Sequence, residues 1–70
     1  MSGKPLHITP PERTLLQLLA EGKPNRDIAN HLRVSEQDVD AFLTQLFARM
    51  GAASRDQAVD VALRRGLVVP

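Results

Sequence analysis

Apolar residues recur at helical spacing in four separate segments of this 70-residue chain, with polar residues and helix-capping motifs between the segments. In the first segment Leu15, Leu18 and Leu19 lie three and four residues apart, which is the repeat of one face of an α-helix. The motif TPPE at residues 9–12 precedes them and has the residue types of a capping box with proline in the first turn. A glycine and a proline then end the pattern. The sequence predicts a first helix over about residues 10–21.

The second segment is short. Ile28, Ala29 and Leu32 form the apolar stripe of a helix of about two turns. Asn25 is the expected N-cap of this helix, because its side-chain oxygen can accept a hydrogen bond from an amide of the first turn. A helix of this length is stable only when it packs on another element. We therefore expect the second helix to pack against its neighbours.

The third segment carries its own start and stop signals. Ser35 is the predicted N-cap, and Asp38 can accept a hydrogen bond from the Ser35 amide as a capping-box acid does. Gly51 can adopt the left-handed conformation that ends a helix. About fifteen residues, 35–49, are predicted to be helical. The apolar positions at spacings of three and four, all expected to be buried or half-buried, are Val39, Phe42, Leu43, Leu46 and Met50.

The fourth segment completes an all-α pattern. Ser54 and Gln57 have the spacing of another capping box, and residues 64–66, two arginines and a glycine, close the segment. The four segments leave no linker or repeat between them, so residues 1–70 are expected to form one all-α domain of four helices. The apolar positions of the fourth segment at helical spacing are Ala58, Val61 and Ala62.

An ungapped series of short motifs runs through about residues 8–67. The motifs are Thr9-Pro10 with Glu12, Leu18 to Gly22, Asn25 to Ala29, Leu32, Val34-Ser35, Val39, Leu46, Arg49 to Gly51, and Ser54-Arg55 with Ala58. In order and spacing the series resembles the LuxR-type (GerE-like, NarL-like) helix-turn-helix domain of bacterial transcription regulators. The resemblance implies a DNA-binding transcription regulator whose third helix, residues 35–49, enters the major groove and whose fourth helix often contributes to a homodimer.

The third helix is acidic. Residues 35–49 hold three acids and one base, a net charge of −2, whereas the rest of the chain sums to +3. In the resembled family the positions of Asp38 and Asp40 usually hold Thr and Lys. The position of Phe42 usually holds His, and that of Thr44 often holds another polar or basic residue. Because DNA binding draws affinity from the release of counterions, two acids near the groove are expected to lower the affinity for double-stranded DNA by about tenfold or more.

Asp40 has two interpretations on this helix. Its carboxylate can accept the amino hydrogen of cytosine in the major groove, or it can repel the phosphates. Asp38, by contrast, is expected to be a helix cap before anything else. The resemblance places Ala41 and Thr44 beside Asp40 on the side that faces the bases.

Six polar residues at helix ends are the phosphate contacts that the resemblance implies. They are Asn25, Arg26, Ser35, Arg49, Ser54 and Arg55. The three arginines lie at the start of the second helix, the end of the third and the start of the fourth, where this fold brings a phosphate strand close. The other three are expected helix caps, and helix N-termini also offer amides to phosphates. The alternative for each arginine is a solvated surface charge.

The surface of the fourth helix suggests a second role. Val59 and Leu63 flank its buried stripe and predict a weak homodimer, because small apolar patches rarely give tight association alone. The alternative function is a degenerate helix-turn-helix that acts as a protein-protein interaction module. Such a module would bind a protein partner through the acidic face of the third helix or the apolar surface of the fourth.

Composition excludes several classes of function. The chain has no cysteine, so the sequence indicates no disulfide and no thiolate metal site, and a reducing cytoplasm is the expected location. It shows no apolar stretch of signal-peptide or membrane-spanning length. His7 and His31 have no neighbouring acid pair with which to form a catalytic or metal site. We therefore expect no enzyme activity, no metal, no cofactor and no membrane association.

Overall fold

The computed structural model describes residues 7–70 and contains four α-helices in this part of the chain. They are α1 (Pro10–Ala20), α2 (Asn25–Leu32), α3 (Glu36–Met50) and α4 (Arg55–Arg64). The all-α fold of four helices is confirmed. The predicted bounds of the first and third helices agree with the observed ones to within a residue.

Two capping boxes fix the starts of α1 and α3. The Thr9 Oγ1 accepts from the Glu12 amide at 3.3 Å, and the Thr9 amide donates to the Glu12 carboxylate at 3.0 Å. Ser35 and Asp38 make the same exchange at 3.0 Å and 3.4 Å. Each box satisfies amides that would otherwise have no partner in the helix, so both predicted starts and the capping role of Asp38 are confirmed.

The start of α2 differs from the prediction. Pro24, not Asn25, is the N-cap, because the Pro24 carbonyl accepts from the Ile28 amide at 3.1 Å and no side chain caps this helix. Asn25 is the first helical residue. The prediction of Asn25 as an N-cap is therefore wrong. Its side-chain amide is used for contacts with two other helices instead, as described below.

The start of α4 is partly as predicted. The Ser54 Oγ accepts from the Gln57 amide at 3.2 Å, which confirms the N-cap. The Gln57 side-chain oxygen, however, accepts from the Ala53 amide at 2.8 Å and not from Ser54. The reciprocal half of the predicted box is wrong by one residue, and the result is still a satisfied amide before the helix.

The turn between α2 and α3 passes through an unusual residue. Arg33 is the C-cap of α2 and has φ 60°, in the left-handed region that favours glycine. The Val34 amide closes the turn by donating to the Ala29 carbonyl at 3.0 Å. Gly51 makes the corresponding left-handed cap of α3 with φ 71°. The helix-turn-helix thus contains one left-handed cap made by a glycine and one made by an arginine.

The core lies where α2 packs on α3, α1 on α4 and α3 on α4. None of its buried residues in the described range is polar or charged. Phe42, expected in the core stripe of α3, is 44% exposed, so this expectation is wrong. It lies at the edge of the stripe and borders a shallow groove with Pro11 and Leu32. The core residues are Leu15, Leu16, Leu19, Ile28, Ala29, Val39, Leu43, Leu46, Met50, Ala58, Ala62 and Val68.

The segment after α4 returns to α1. Val68 is buried in the core, and Val69 exchanges two hydrogen bonds with the side chain of Gln17. The Gln17 amide nitrogen donates to the Val69 carbonyl at 3.2 Å, and the Val69 amide donates to the Gln17 oxygen at 3.1 Å. The last residues are therefore attached to α1 by both packing and polar contacts.

Candidate nucleic-acid interface

The residues predicted to face bases lie on the outer side of α3. Asp40, Ala41 and Thr44 are all exposed, whereas Val39 and Leu43 beside them in the sequence are buried. This division follows from the helical repeat, which puts the core stripe and these three side chains on different faces. The Thr44 hydroxyl donates to the Asp40 carbonyl of its own helix at 2.9 Å. Its oxygen still has lone pairs that can accept a hydrogen bond.

A chain of hydrogen bonds joins this outer face to two other helices. The Asn25 side-chain nitrogen donates to the Asp40 carboxylate at 2.7 Å. The Arg55 guanidinium donates to the Asn25 side-chain oxygen and, at 3.3 Å, to the Lys23 carbonyl. The starts of α2 and α4 are therefore joined to the first turns of α3. Neither interpretation of Asp40 from the sequence, as a cytosine acceptor or as a repellent, included a partner within the domain.

Arg49, at the end of α3, has its partners within α1 and just before it. Its guanidinium forms an ion pair with the Glu12 carboxylate and donates to the His7 carbonyl at 3.4 Å. The backbone amide of Thr9 lowers the pKa of the Glu12 carboxyl, with a further contribution from Arg49. The side chain of Arg49 remains 44% exposed. The contact orients this arginine from α1 and leaves part of it open to solvent.

The remaining predicted phosphate contacts lie at helix starts. Arg26 is exposed on the first turn of α2, next to Asn25. Ser35 and Ser54 are exposed, and their hydroxyls accept from amides of α3 and α4. The structure thus brings Asn25 and Arg55 together with Asp40. It places Arg49 with Glu12 instead, and it gives the two serines their capping role.

The bridging role of Asn25 has no signal in the sequence. Its partners lie fifteen and thirty residues away, at spacings that no local pattern relates. Sequence reasoning identified all three residues as candidates but assigned each a contact with DNA, and the contacts among them were missed. A side chain with one donor group and one acceptor group, placed between an acid and an arginine, is visible only in the fold.

Other features of the surface bear on assembly and on the class of site. Leu63 on α4 is 41% exposed, and Val59 one turn before it is half-buried. Within residues 7–70 no group of histidine and acidic side chains is arranged to hold a metal ion. No helix in the same range is long and apolar enough to span a bilayer.

The chain is similar in sequence to bacterial regulators. The family model of the luxR family of bacterial regulatory proteins matches residues 6–62. A Mycobacterium bovis protein described as an HTH-type transcriptional regulator is 49% identical over 59 residues, which cover 84% of this chain and 7% of that protein. The response regulator Rre1 of Synechocystis is 37% identical over 62 residues, which cover 89% of this chain and 27% of Rre1.

Solved structures show the same fold. The transcription factor GerE superposes with a TM-score of 0.84 at 30% identity, over 94% of this chain and 97% of GerE. The VqmA dimer of Vibrio cholerae, a LuxR-type receptor with a target DNA, superposes with a TM-score of 0.85 at 37% identity, over 94% of this chain and 31% of VqmA. The chain spans less than a third of VqmA and of the two regulators above. The chain belongs to the luxR family of bacterial regulatory proteins and is a helix-turn-helix DNA-binding domain of the transcription-regulator type.

Proposed function

We propose that this domain binds duplex DNA with α3 in the major groove and that Asp40, Ala41 and Thr44 face the base edges. The observation that carries the proposal is the exposure of these three side chains on one face of α3 while the opposite face is buried. A helix held in this way can place its outer face in a groove while all of its contacts with the core are kept. Bacterial regulators of the same family support the assignment.

The backbone of the DNA is contacted by residues around this face. Arg26 and Arg55 at the helix starts supply positive charge, and Arg49 supplies it at the end of α3. Asn25, Ser35 and Ser54 lie at or beside helix N-termini, where backbone amides favour phosphate oxygens. The arginines carry most of the affinity, because each neutralised phosphate releases counterions.

A salt titration tests this function. Fluorescence anisotropy of labelled duplexes drawn from a random-sequence pool should show binding that weakens with added salt. Arg26→Ala and Arg55→Ala should each weaken binding to all sequences and reduce the salt slope by about one. Arg13→Ala is the matched control, since Arg13 is an exposed arginine on α1 that lines a groove with Val68 and Val69, the segment after α4. Its loss should leave the salt slope unchanged.

Two outcomes of the salt titration would contradict the proposed function. If the parent domain binds no duplex at low salt, the major-groove role is wrong. If Arg13→Ala lowers the slope as much as Arg55→Ala, binding is diffuse and the assigned face is wrong. The alternative, a degenerate helix-turn-helix that binds a protein partner, would then be the function to test.

We propose that two copies of the domain associate weakly through α4, with Val59 and Leu63 at the contact. The VqmA neighbour is a dimer, which supports this proposal. An apolar contact of a few side chains is well below the roughly 1,000 Å² that a stable interface buries, so the expected association is weak. Sedimentation at high concentration should show a dimer that Val59→Glu reduces. The control Val69→Glu alters an exposed valine outside α4 and should leave the dimer intact. If the parent is strictly monomeric at high concentration, the proposed dimer is excluded.

We further propose that the domain acts by binding alone, without catalysis, and that it works in the bacterial cytoplasm. The family supports both statements, because its members are bacterial regulatory proteins and the similar proteins are named as transcriptional regulators. In the assay above, binding without metal or added cofactor is the expected result.

A further inference from the structure

We propose that Asp40 is a positioning residue that sets the orientation of the Asn25 amide and, through it, the direction of the Arg55 guanidinium. The inference rests on the proposed DNA-binding function, in which Arg55 contacts a phosphate. It assigns to Asp40 a role that differs from base recognition and from simple repulsion. The role follows from three side chains on three helices.

The chemistry of the three side chains allows one arrangement of the amide. An ionised carboxylate only accepts hydrogen bonds, and a guanidinium only donates them. The side chain of Asn25 lies between the two, with its nitrogen on Asp40 at 2.7 Å and its oxygen on Arg55. If the amide turned over, its nitrogen would meet the guanidinium and its oxygen would meet the carboxylate. Asp40 therefore holds the Asn25 oxygen toward Arg55.

A second acceptor completes the position of Arg55. The Lys23 carbonyl, in the turn before α2, accepts from the same guanidinium at 3.3 Å. Arg55 is half-buried, so its stem is also restrained by packing. A guanidinium has five N–H donors, and two acceptors within the domain leave donors for a phosphate. An arginine oriented in advance loses less side-chain entropy when it binds.

Asp40 has two opposing effects on DNA binding. Its negative charge weakens attraction to phosphates, and its hydrogen bond to Asn25 improves the position of Arg55. Two substitutions separate these effects. Asp40→Asn removes the charge and keeps a carbonyl oxygen that can accept from Asn25. Asp40→Ala removes both the charge and the acceptor.

The matched control pair lies on the same helix. Glu36 is an exposed acid on the first turn of α3 and is outside the chain of hydrogen bonds that joins Asp40 to Arg55. Glu36→Gln and Glu36→Ala remove the same charge with and without a polar side chain. They should bind DNA equally well, both slightly tighter than the parent because one acid has been removed.

The affinities of the four variants give the first test. By duplex anisotropy at one salt concentration, Asp40→Asn should bind more tightly than the parent. Asp40→Ala should bind about three- to tenfold more weakly than Asp40→Asn, which is the usual effect of one lost hydrogen bond. In a salt titration, the slope of Asp40→Ala should be lower than that of Asp40→Asn, by less than the unit expected for Arg55→Ala, because the Arg55 contact is weakened and not removed. Equal affinities and slopes for the two Asp40 variants would overturn the proposal.

A measurement without DNA gives the second test and separates the inference from the function. In ¹⁵N-labelled protein, the side-chain signals of Asn25 and Arg55 should shift or broaden in Asp40→Ala, and Asp40→Asn should keep signals closer to those of the parent. Unchanged Arg55 signals in Asp40→Ala would overturn the positioning role even if DNA is bound. If the Arg55 signals respond as expected while no variant binds duplex at low salt, the DNA-binding function fails and the positioning contact stands. Thermal melts of each variant show that the fold is retained.

Discussion

The two faces of α3 are held by different kinds of contact. On the inner face, Val39, Leu43 and Leu46 are buried against the other helices. On the outer face, Asp40 is bound to Asn25 of α2, and Thr44 is bound to its own helix. The inner contacts are numerous and non-directional, whereas the outer ones are single hydrogen bonds between exposed groups.

The difference separates stability from recognition. Burial of a large apolar side chain contributes a few kcal/mol, whereas one exposed hydrogen bond contributes about 1 kcal/mol or less. Changes on the inner face are therefore expected to unfold the domain. Changes on the outer face are expected to leave the domain folded and, at Asp40, to alter the orientation of the Arg55 guanidinium. Substitutions on the two faces are therefore expected to differ in their effect on the free energy of unfolding.

Leu46→Ala should lower the free energy of unfolding by about 2–5 kcal/mol, because it leaves a cavity in the core of a small domain. Leu46 is fully buried, and Leu19 on α1 is 4% exposed, so Leu19→Ala should have an effect of similar size. Urea denaturation measures both. Thr44→Ala on the outer face is the control and should change stability by no more than about 0.5 kcal/mol. A loss in Thr44→Ala as large as in Leu46→Ala would show that the two faces are not distinct.

Ser35→Ala should lower the free energy of unfolding by about 1 kcal/mol, because the Asp38 amide loses the hydroxyl that caps it at 3.0 Å. Ser35 is the exposed N-cap immediately before α3 and belongs to neither face. Ser35→Asp keeps an acceptor at the same position and should retain most of the stability. The midpoint of urea unfolding distinguishes the two. Equal losses would mean that the cap does not stabilise the helix.

Local signals in the sequence were enough to predict the inner face of α3 and the N-caps of α1, α3 and α4. Apolar spacing identified Val39, Leu43 and Leu46, and a serine with an acid three residues later identified the N-cap at Ser35. These signals work because a helix relates residues three and four apart. Phe42 shows their limit, because it has the right spacing but lies at the edge of the stripe, where a neighbour is needed to cover it.

The outer face was less predictable. The candidates on this face were predicted from their place in a resembled family, and not from a local pattern of residues. Asn25 was assigned to a cap, but α2 has Pro24 as its N-cap and Asn25 as its first helical residue, and no side chain caps it. Its actual partners, Asp40 and Arg55, are remote in sequence and become neighbours only when three helices pack. Long-range polar contacts of this kind leave no periodicity to detect.

Arg33→Gly should raise the free energy of unfolding by about 0.5–1 kcal/mol, because Arg33 has φ 60° and glycine adopts this conformation without steric cost. The change lies in the turn that sets α3 against α2. Arg33→Ala removes the same side chain and keeps the strain, so it should be close to the parent. Thermal and urea unfolding of the pair give the comparison. A loss of stability in Arg33→Gly would show that the arginine side chain contributes more than the backbone strain costs.

The last and smallest effect concerns the far end of α3. Because the pKa of Glu12 is lowered in the folded protein, its contribution to stability is present above the ordinary pKa and is lost as the pH falls through the folded one. The stability difference between the parent and Glu12→Gln should therefore shrink from about pH 6 to about pH 3. It should not exceed about 1 kcal/mol, since the pair with Arg49 is partly exposed. Glu36→Gln is the control for loss of a surface carboxylate. A difference that grows in acid would contradict the assigned direction.

The two hydrogen bonds between Gln17 and Val69 have a consequence for hydrogen exchange. The side chain of Val69 is 68% exposed, yet its amide is occupied by the Gln17 oxygen at 3.1 Å. Exchange of this one proton with solvent therefore requires a local opening in which the Gln17 side chain turns away or the segment after α4 moves off α1. In Gln17→Ala the same proton loses this acceptor and is expected to exchange faster. A slower motion of the whole segment would then be seen as exchange that Gln17→Ala leaves unchanged.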